Sequence, residues 1–294
     1  MSPLVSIIIP THRPAHFRHA LKCALHQTYG HLEIIVSDNS GGAEIESLCR
    51  EHPQVRYRRN VDGVPSTNIA EPLRLARGEF IKYLFDDDFL YPNCIDTMLG
   101  FLALVDQRQR DGIGLITTSR HEMNDVNVVH SERRLEGVPN PQIIGGLQAV
   151  RNLALNQLNF IGEFSTVLFR RSLLGDFEPL DIFHAFGRRY LGVIDVPLYV
   201  NLLLKSNLLY IPFSVSAFRI HQEGGSIPTG SPHFHYAVSD WLQLLEGSFE
   251  YGLITRDELT AGARTYLQRS ANFEPLFPEQ LGAARERAQK YLSG

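Results

Sequence analysis

The sequence predicts an α/β fold, a mostly parallel sheet flanked by helices and followed by a helical C-terminal extension. Three observations predict it. Continuous apolar runs, the mark of strands buried on both faces, recur through the first 120 residues. Segments with apolar residues at helical spacing separate them, and each run stops at a polar or turn-forming cluster. Strands alternating with helices of about a dozen residues imply βαβ units.

Leu4–Ile9 is the first such run and ends at Pro10. Pro14–Gln27 follows as a helix whose apolar face carries Phe17, Ala20, Leu21, Ala24 and Leu25. Leu32–Val36 is a second buried strand, stopped by Asp38-Asn39-Ser40-Gly41-Gly42. Ala43–Glu51 reads as a short helix, Val55–Arg59 as a third strand and Ser66–Ala76 as a helix in spite of Pro72. Glu79–Phe85 is a fourth strand, running into Asp86-Asp87-Asp88; Pro92–Gln109 is a longer helix and Gly112–Thr118 a fifth strand. The pattern then changes. Val126–His130 reads as an antiparallel strand, Gly145–Leu158 as a helix and Ser165–Phe169 as a strand. Val196–Leu204 is helical, with Asp195 as N-cap and Pro197 tolerated in the first turn. Leu208–Pro212 and Val215–Ile220 are two short strands. Helices dominate from His233 onward, with a capping box at Thr255-Arg256-Asp257-Glu258 and a charged amphipathic helix over Pro278–Leu292. The expected organisation is one α/β domain over residues 1–230 and a helical extension over 231–294.

Composition removes several function classes. The 294 residues are 44% hydrophobic and 20% charged, ordinary for a globular chain. Lys and Arg number 28 against 32 Asp and Glu, a net charge of −4. No basic excess exists to displace counterions, so a nucleic-acid partner is not expected. Cys23, Cys49 and Cys94 are widely spaced and form no C-x-x-C pair, which speaks against a zinc knuckle or disulfide framework and for a reducing cytosol. The N-terminal stretch lacks a basic region and a cleavage site, and no apolar run reaches the roughly 18 residues of a membrane span. The expectation is a cytoplasmic protein, with peripheral contact to the inner face of a membrane left open.

Three motifs carry candidate chemistry. Alternation along the strand Phe80–Phe85 places Asp86 and Asp88 on one side, a hard-oxygen pair suited to Mg²⁺ or Mn²⁺ completed by substrate phosphates. Its position after a strand is where open α/β sheets bind ligands. The plainer reading is a polar turn whose middle residue, Asp87, caps the next helix. Pro10-Thr11-His12-Arg13 sets a hydroxyl, an imidazole and a guanidinium at a strand-to-helix corner, where an anion is favoured; alone it reads equally as a helix start. Ser37-Asp38-Asn39-Ser40 offers a carboxylate to a base or ribose, or forms an Asx turn. His12, His16 and His19 have helical spacing but no acidic partner between them, so a solvated helix face is the better reading than zinc.

Taken together, Ile7-Ile8-Ile9-Pro10-Thr11, Gln27-Thr28-Tyr29, Glu33-Ile34-Ile35-Val36-Ser37-Asp38-Asn39-Ser40, Asn68, Ala76-Arg77-Gly78-Glu79-Phe80-Ile81 and Asp86-Asp87-Asp88 resemble the family 2 glycosyltransferases of the GT-A fold. The resemblance is close over residues 4–110 and looser to residue 222. It implies a nucleotide-sugar-binding half over residues 1–120 and an acceptor half over 121–230. It implies that Pro10, Thr11, Arg13, Asp38, Asn68, Asp86 and Asp87 line the nucleotide-sugar pocket, Asp38 against the base. It implies that Asp86 and Asp88 hold Mn²⁺ or Mg²⁺, with His221 of Phe218-Arg219-Ile220-His221 reaching the metal or the diphosphate. Val193-Ile194-Asp195-Val196 occupies the place of the acidic motif, so Asp195 is the expected catalytic base and Glu163, in Gly162-Glu163-Phe164-Ser165-Thr166, the runner-up. This sequence departs from the family at Ser37 and Ile194, where an Asp and a Glu are usual.

The implied activity is an inverting transfer of sugar from a nucleotide diphosphate, UDP-linked by preference, to an acceptor hydroxyl on a glycan, a lipid-linked or a small-molecule acceptor. The competing reading is a non-catalytic GT-A-like nucleotide-sugar-binding module, supported by the two departures. The set Trp241, Leu242, Leu244 and Leu245 is expected to pack helices, and the C-terminal helices are candidates for a homodimer contact.

Overall fold

The computed structural model describes residues 2–220 and 231–293. In chain order the elements are β1 (Val5–Thr11), α1 (Pro14–Leu25), β2 (Leu32–Asp38), α2 (Glu44–Arg50), β3 (Val55–Arg59), α3 (Pro65–Ala70), β4 (Phe80–Tyr83), β5 (Phe89–Leu90), α4 (Cys94–Leu104), α5 (Gln107–Asp111), β6 (Ile113–Met123), β7 (Val129–Arg133) and β8 (Gln142–Ile144). There follow α6 (Gly146–Asn156), β9 (Leu168–Arg170), β10 (His184–Ala185), β11 (Arg188–Arg189), α7 (Val196–Leu203), β12 (Asn207–Arg219), α8 (Phe234–Glu250), α9 (Arg256–Ser270) and α10 (Pro278–Lys290). Two compact units divide the chain. The first comprises Met1–Ile144, Ile161–Leu180 and Lys205–Ile220; the second comprises Gly145–Phe160, Asp181–Leu204 and His221–Gly294. This division does not follow the expected split at residue 230, because the second unit also takes two segments from the middle of the chain.

The first unit is built on one sheet in the order β3-β2-β1-β4-β9-β6-β12-β5, with β7 added to β6 and β8 to β12. The strands β3, β2, β1 and β4 run parallel, as does the pair β6–β12. The strand β9 lies antiparallel between β4 and β6, so the sheet is mixed rather than mostly parallel. Every residue of β1 is buried, as a strand with both faces covered requires. Val5, Ile7 and Ile9 point to one side, where they meet Phe17 and Leu21 of α1, Ile45 and Leu48 of α2, and Ile95 and Met98 of α4. On the other side Ser6 donates to Glu33 at 2.6 Å and accepts from the Gly78 amide at 2.9 Å. Gly78 is obligatory there, since a Cβ would fall 2.6 Å from the Ser6 nitrogen.

Several expected elements differ in detail, three of them for a clear backbone reason. The helix Ser66–Ala76 is α-helical only to Ala70 and continues as a 3₁₀ turn over Glu71–Leu75, because Pro72 cannot donate to the α ladder. The helix Pro92–Gln109 breaks at Val105, and Asp106 caps α5 by accepting from the Arg108 amide at 3.0 Å. The two strands before residue 220 are one long strand, β12, with register shifts against β6 around Ser214.

In the second unit α8, α9 and α10 enclose Leu242, Leu245, Leu259, Tyr266 and Leu281. Thr255 and Glu258 form the expected capping box at the start of α9. All three cysteines are free and buried. Among the described residues no helix is long and apolar enough to cross a membrane.

Candidate active site

The carboxyl ends of β1, β2 and β4 meet at one edge of the first unit's sheet. Thr11 at the end of β1 pairs with Asp38 at the end of β2, and Ile8 of β1 pairs with Tyr83 at the end of β4. In open α/β sheets such an edge is where ligands bind. Four loops deliver side chains to it.

The Asp triplet does not continue β4. The Asp88 amide donates to the Phe85 carbonyl at 3.1 Å, closing a turn, so strand alternation no longer applies and the three carboxylates part company. Asp86, 4% exposed, turns toward the end of β1. Its Oδ2 accepts from Thr11 Oγ1 at 3.0 Å, the His12 amide at 3.1 Å and the Arg13 amide at 3.2 Å, and its Oδ1 accepts from Arg13 Nη2 at 2.7 Å. The same guanidinium reaches Asp87 Oδ2 at 2.6 Å. Burial opposes the charge on Arg13, but hydrogen bonds and charge from Asp86 and Asp87 outweigh it and hold its proton affinity above the ordinary range. These donors engage both oxygens of Asp86, which in this arrangement holds the entry to α1.

Asp88, 3% exposed, faces a different set. Its Oδ1 accepts from the Arg219 amide at 3.3 Å, and Ser165 hydrogen-bonds the carboxyl. Burial raises its pKa well above the usual carboxylate range, and the charges of Asp87 and Glu163 push the same way. Ser165 is itself fixed, its Oγ accepting from the Phe85 amide at 2.9 Å and its carbonyl from Lys82 Nζ at 2.8 Å. Lys82 is fully buried at the centre of β4, and burial lowers its pKa.

Glu163 pairs with Arg120 at 2.8 Å just before Ser165. Arg219, 5% exposed at the end of β12, spreads its guanidinium over the Asp87 carbonyl at 2.9 Å, the Asn124 and Asp125 carbonyls at 2.9 and 3.3 Å, and Asn127 Oδ1 at 2.7 Å.

Asn68 ties two strand ends together, accepting from Ser37 Oγ at 2.8 Å and donating to the Thr11 carbonyl at 3.2 Å. Pro10 is buried in β1 and pairs with Ser37. Asp38 has no exposed surface. Its carboxylate accepts from the Ser40 amide at 2.7 Å and Tyr57 Oη at 2.7 Å and lies 3.2 Å from Arg59. Burial first, then the bond and charge of Asp38, pushes the Tyr57 hydroxyl pKa up. In this arrangement the Asp38 carboxylate holds the ends of β2 and β3 together.

Asp195 belongs to the second unit. It stands at the N-cap of α7 but makes no capping bond to that helix; its Oδ2 accepts from Asn159 Nδ2 at 2.7 Å. His221 lies outside the described residues. Of the histidines with helical spacing, His12 is 60% exposed, and burial followed by the charge of Arg13 lowers the pKa of His16.

The first unit thus brings together Thr11, Arg13, Asp86 and Asp87 by direct bonds, and Asp88 with Ser165, Arg219 and the charge of Glu163. Sequence reasoning named Arg219 and Ser165 only as members of longer motifs and gave no role to Lys82 or Tyr57. Only Lys82 carries an unmistakable signal, a charge inside the apolar run Phe80–Phe85.

The donor set suits a divalent cation in one respect. Asp87, Asp88 and Glu163 concentrate negative charge at Asp88, and a bound cation relieves it. Among the described residues no group of three His, Cys, Asp or Glu side chains forms a ready cage.

Residues 6–177, more than half of the chain, match the family model of glycosyl transferase family 2. The chain belongs to that family. It is 32% identical over 109 residues to an uncharacterized glycosyltransferase of Rickettsia typhi, a stretch covering 36% of this chain and 34% of that protein. It is 26% identical over 247 residues to the GalNAc(5)-diNAcBac-PP-undecaprenol beta-1,3-glucosyltransferase of Campylobacter jejuni, covering 80% of this chain and 71% of that one. The fold matches that of S. aureus TarS 1-349 in complex with UDP-GlcNAc, with a TM-score of 0.57, 14% identity and coverage of 98% and 90%. It also matches the mannosyltransferase PcManGT of Pyrobaculum calidifontis in complex with GDP-Man and Mn²⁺, with a TM-score of 0.54, 16% identity and coverage of 100% and 84%. This family 2 member is built on the GT-A fold.

Proposed function

We propose that the protein is an inverting glycosyltransferase that moves a sugar from a nucleotide diphosphate donor, UDP-linked by preference, to an acceptor hydroxyl in glycan assembly. The observation that carries the reading is the meeting of Thr11, Arg13 and the Asp triplet at the carboxyl edge of β1 and β4, in a chain of this family. The UDP-GlcNAc complex of TarS and the GDP-Man and Mn²⁺ complex of PcManGT support the donor class. The acceptor class, glycan, lipid-linked or small molecule, is supported only by the Campylobacter relative, whose name specifies an undecaprenol-linked acceptor.

Asp88 would hold Mn²⁺ or Mg²⁺ with the donor's phosphates, and the metal supplies positive charge where the leaving diphosphate develops negative charge. Arg13, anchored on Asp86 and Asp87, keeps the corner of β1 and α1 in place beside the donor. Thr11 and Asn68 hold the end of β1, and Arg219 holds the main chain of the triplet. Asp195, oriented by Asn159, takes the acceptor hydroxyl's proton. The acceptor oxygen bonds to the anomeric carbon as that carbon's bond to the diphosphate oxygen breaks, and the diphosphate takes the electron pair. A cytoplasmic setting, with membrane contact or pairing of two copies through the C-terminal helices, belongs to the same proposal.

Calorimetry with UDP-, GDP- and dTDP-sugars, with and without Mn²⁺, together with a transfer assay, tests it. The expected result is Mn²⁺-dependent binding of a nucleotide sugar, lost in Asp88→Ala, and an Asp195→Asn variant that binds donor without transferring it. Failure of every nucleotide sugar to bind overturns the donor reading, and full turnover by Asp195→Asn removes Asp195 from the base role.

A further inference from the structure

We infer that Asp240, on α8, is a positioning residue for Asp195: its carboxylate gathers the main-chain amides of Leu191, Gly192 and Val193 and so fixes the segment that presents the base. The inference rests on the reading of Asp195 as the base.

Asp240 is buried on the face of α8 that also carries Leu244 and Gly247, away from Val238 and Leu242. It is 5% exposed. Burying a carboxylate is costly unless donors surround it. Here one oxygen, Oδ2, accepts three consecutive amides, Leu191 at 3.0 Å, Gly192 at 2.7 Å and Val193 at 3.1 Å. Three successive N–H groups aimed at one point form a concave anion-holding nest, a backbone shape that no ordinary helix or strand supplies. Burial works against the charge on Asp240, and these amides work for it.

The close approach is built into the sequence at Gly192. A Cβ on that residue would lie 2.0 Å from the Ala237 nitrogen and 2.3 Å from its Cα, so only glycine lets the segment reach α8. From the clamp the chain runs directly to Asp195. The Val196 amide donates to the Val193 carbonyl at 3.1 Å, closing a turn over Ile194 and Asp195, and the Tyr199 amide donates to the Asp195 carbonyl at 3.3 Å to begin α7. Asp195 is therefore held from two sides, its backbone two residues beyond the nest and its side chain on Asn159. A carboxylate oriented by Asn159, on a segment fixed by a second buried carboxylate, is the arrangement that supports a base. Ile194 replaces the acidic neighbour usual in the family, and the stiffness of this segment comes from Asp240 instead.

The test uses the full chain. Asp240→Asn, Asp240→Ala and Gly192→Ala are compared with the unmodified protein and with Asp195→Asn. Transfer kcat, donor Kd by calorimetry and hydrogen exchange at the Leu191, Gly192 and Val193 amides are measured. Displacing a positioned group by about an ångström costs on the order of 100-fold. The expected result is a fall in kcat of roughly 10- to 100-fold, with donor Kd within about twofold and faster exchange at the three amides. If Asp240→Ala does not fold, Asp240→Asn carries the test, since it keeps the size of the side chain and removes its charge. An unchanged kcat with deprotected amides overturns the inference, and so does a parallel loss of donor affinity and turnover, which marks general damage. A fully active Asp195→Asn defeats the base reading itself. An inactive Asp195→Asn beside an active Asp240→Asn defeats only the positioning role.

Discussion

Asp86 and Asp88 stand two residues apart and should respond to substitution in opposite directions. In Asp86→Ala four donors lose their acceptor: Thr11 Oγ1, the amides of His12 and Arg13, and the Arg13 guanidinium. The three neutral donors are worth about 1 kcal/mol each, roughly 3 kcal/mol together. The guanidinium adds only about 1 kcal/mol, because Arg13 is 22% exposed and keeps Asp87 at 2.6 Å. The expected destabilisation is about 3–4 kcal/mol. Asp88 is the reverse case. The folded chain holds its proton more tightly than the unfolded chain does, so ionising it costs folding free energy. That cost begins as pH rises above the unfolded carboxyl pKa of about 3.9, grows up to the raised folded pKa and persists above it. Asp88→Asn carries no charge and should exceed the unmodified protein in stability at neutral pH, the advantage vanishing below about pH 3.9. Urea unfolding in metal-free buffer, followed by far-UV circular dichroism at several pH values, measures both. The single tryptophan, Trp241, lies in the second unit, so its fluorescence reports that unit separately. An Asp86→Ala variant within about 0.5 kcal/mol of the unmodified protein would refute the anchoring role, and a destabilised Asp88→Asn at neutral pH would refute the strained-carboxylate role.

Two further outcomes follow from the same geometry. Lys82 is buried with its pKa lowered, so the folded chain binds that proton more weakly than the unfolded chain. Stability should rise as pH climbs through the lowered pKa toward about 10.4. Lys82→Met should remove that rise, which thermal melts across the neutral-to-alkaline range will show. Arg219→Met releases the carbonyls of Asp87, Asn124 and Asp125 and should weaken donor binding by roughly tenfold or more in calorimetry. Arg219→Lys should not restore it, because a single ammonium cannot span those acceptors as the planar fork does.

Much of the first unit's sheet was legible because its signals are local. The buried strands β1, β2 and β4 are continuous apolar runs, and their polar ends name the sheet edge without any knowledge of long-range contacts. The breaks at Pro72 and Val105 were not, since an apolar pattern spans a 3₁₀ turn or a helix gap as readily as an α-helix. The antiparallel entry of β9 between β4 and β6 was illegible for a different reason: pairing partners about 50 to 90 residues apart leave no trace in period or turn chemistry. The same holds in the site. Thr11 and Arg13 were picked out by type, but which carboxylate they engage depends on the turn that Asp88 closes onto Phe85. Arg219 and Asp240 act through main-chain carbonyls and amides, which every residue has, so nothing in the sequence marks their partners.

The triplet's three carboxylates divide the work of stability and chemistry between them. Asp86 meets hydrogen-bond donors on both oxygens and strengthens the fold. Asp87 shares the Arg13 guanidinium and retains some exposure. Asp88 alone is buried beside like charge, an arrangement that folding would not favour for its own sake. On the proposed function, a cation bound with a donor's phosphates would relieve both the repulsion and the desolvation cost. Stability and function therefore make different demands at adjacent positions. A variant that gains stability at Asp88 while losing the donor, beside one that loses stability at Asp86, would locate that division at the turn between them.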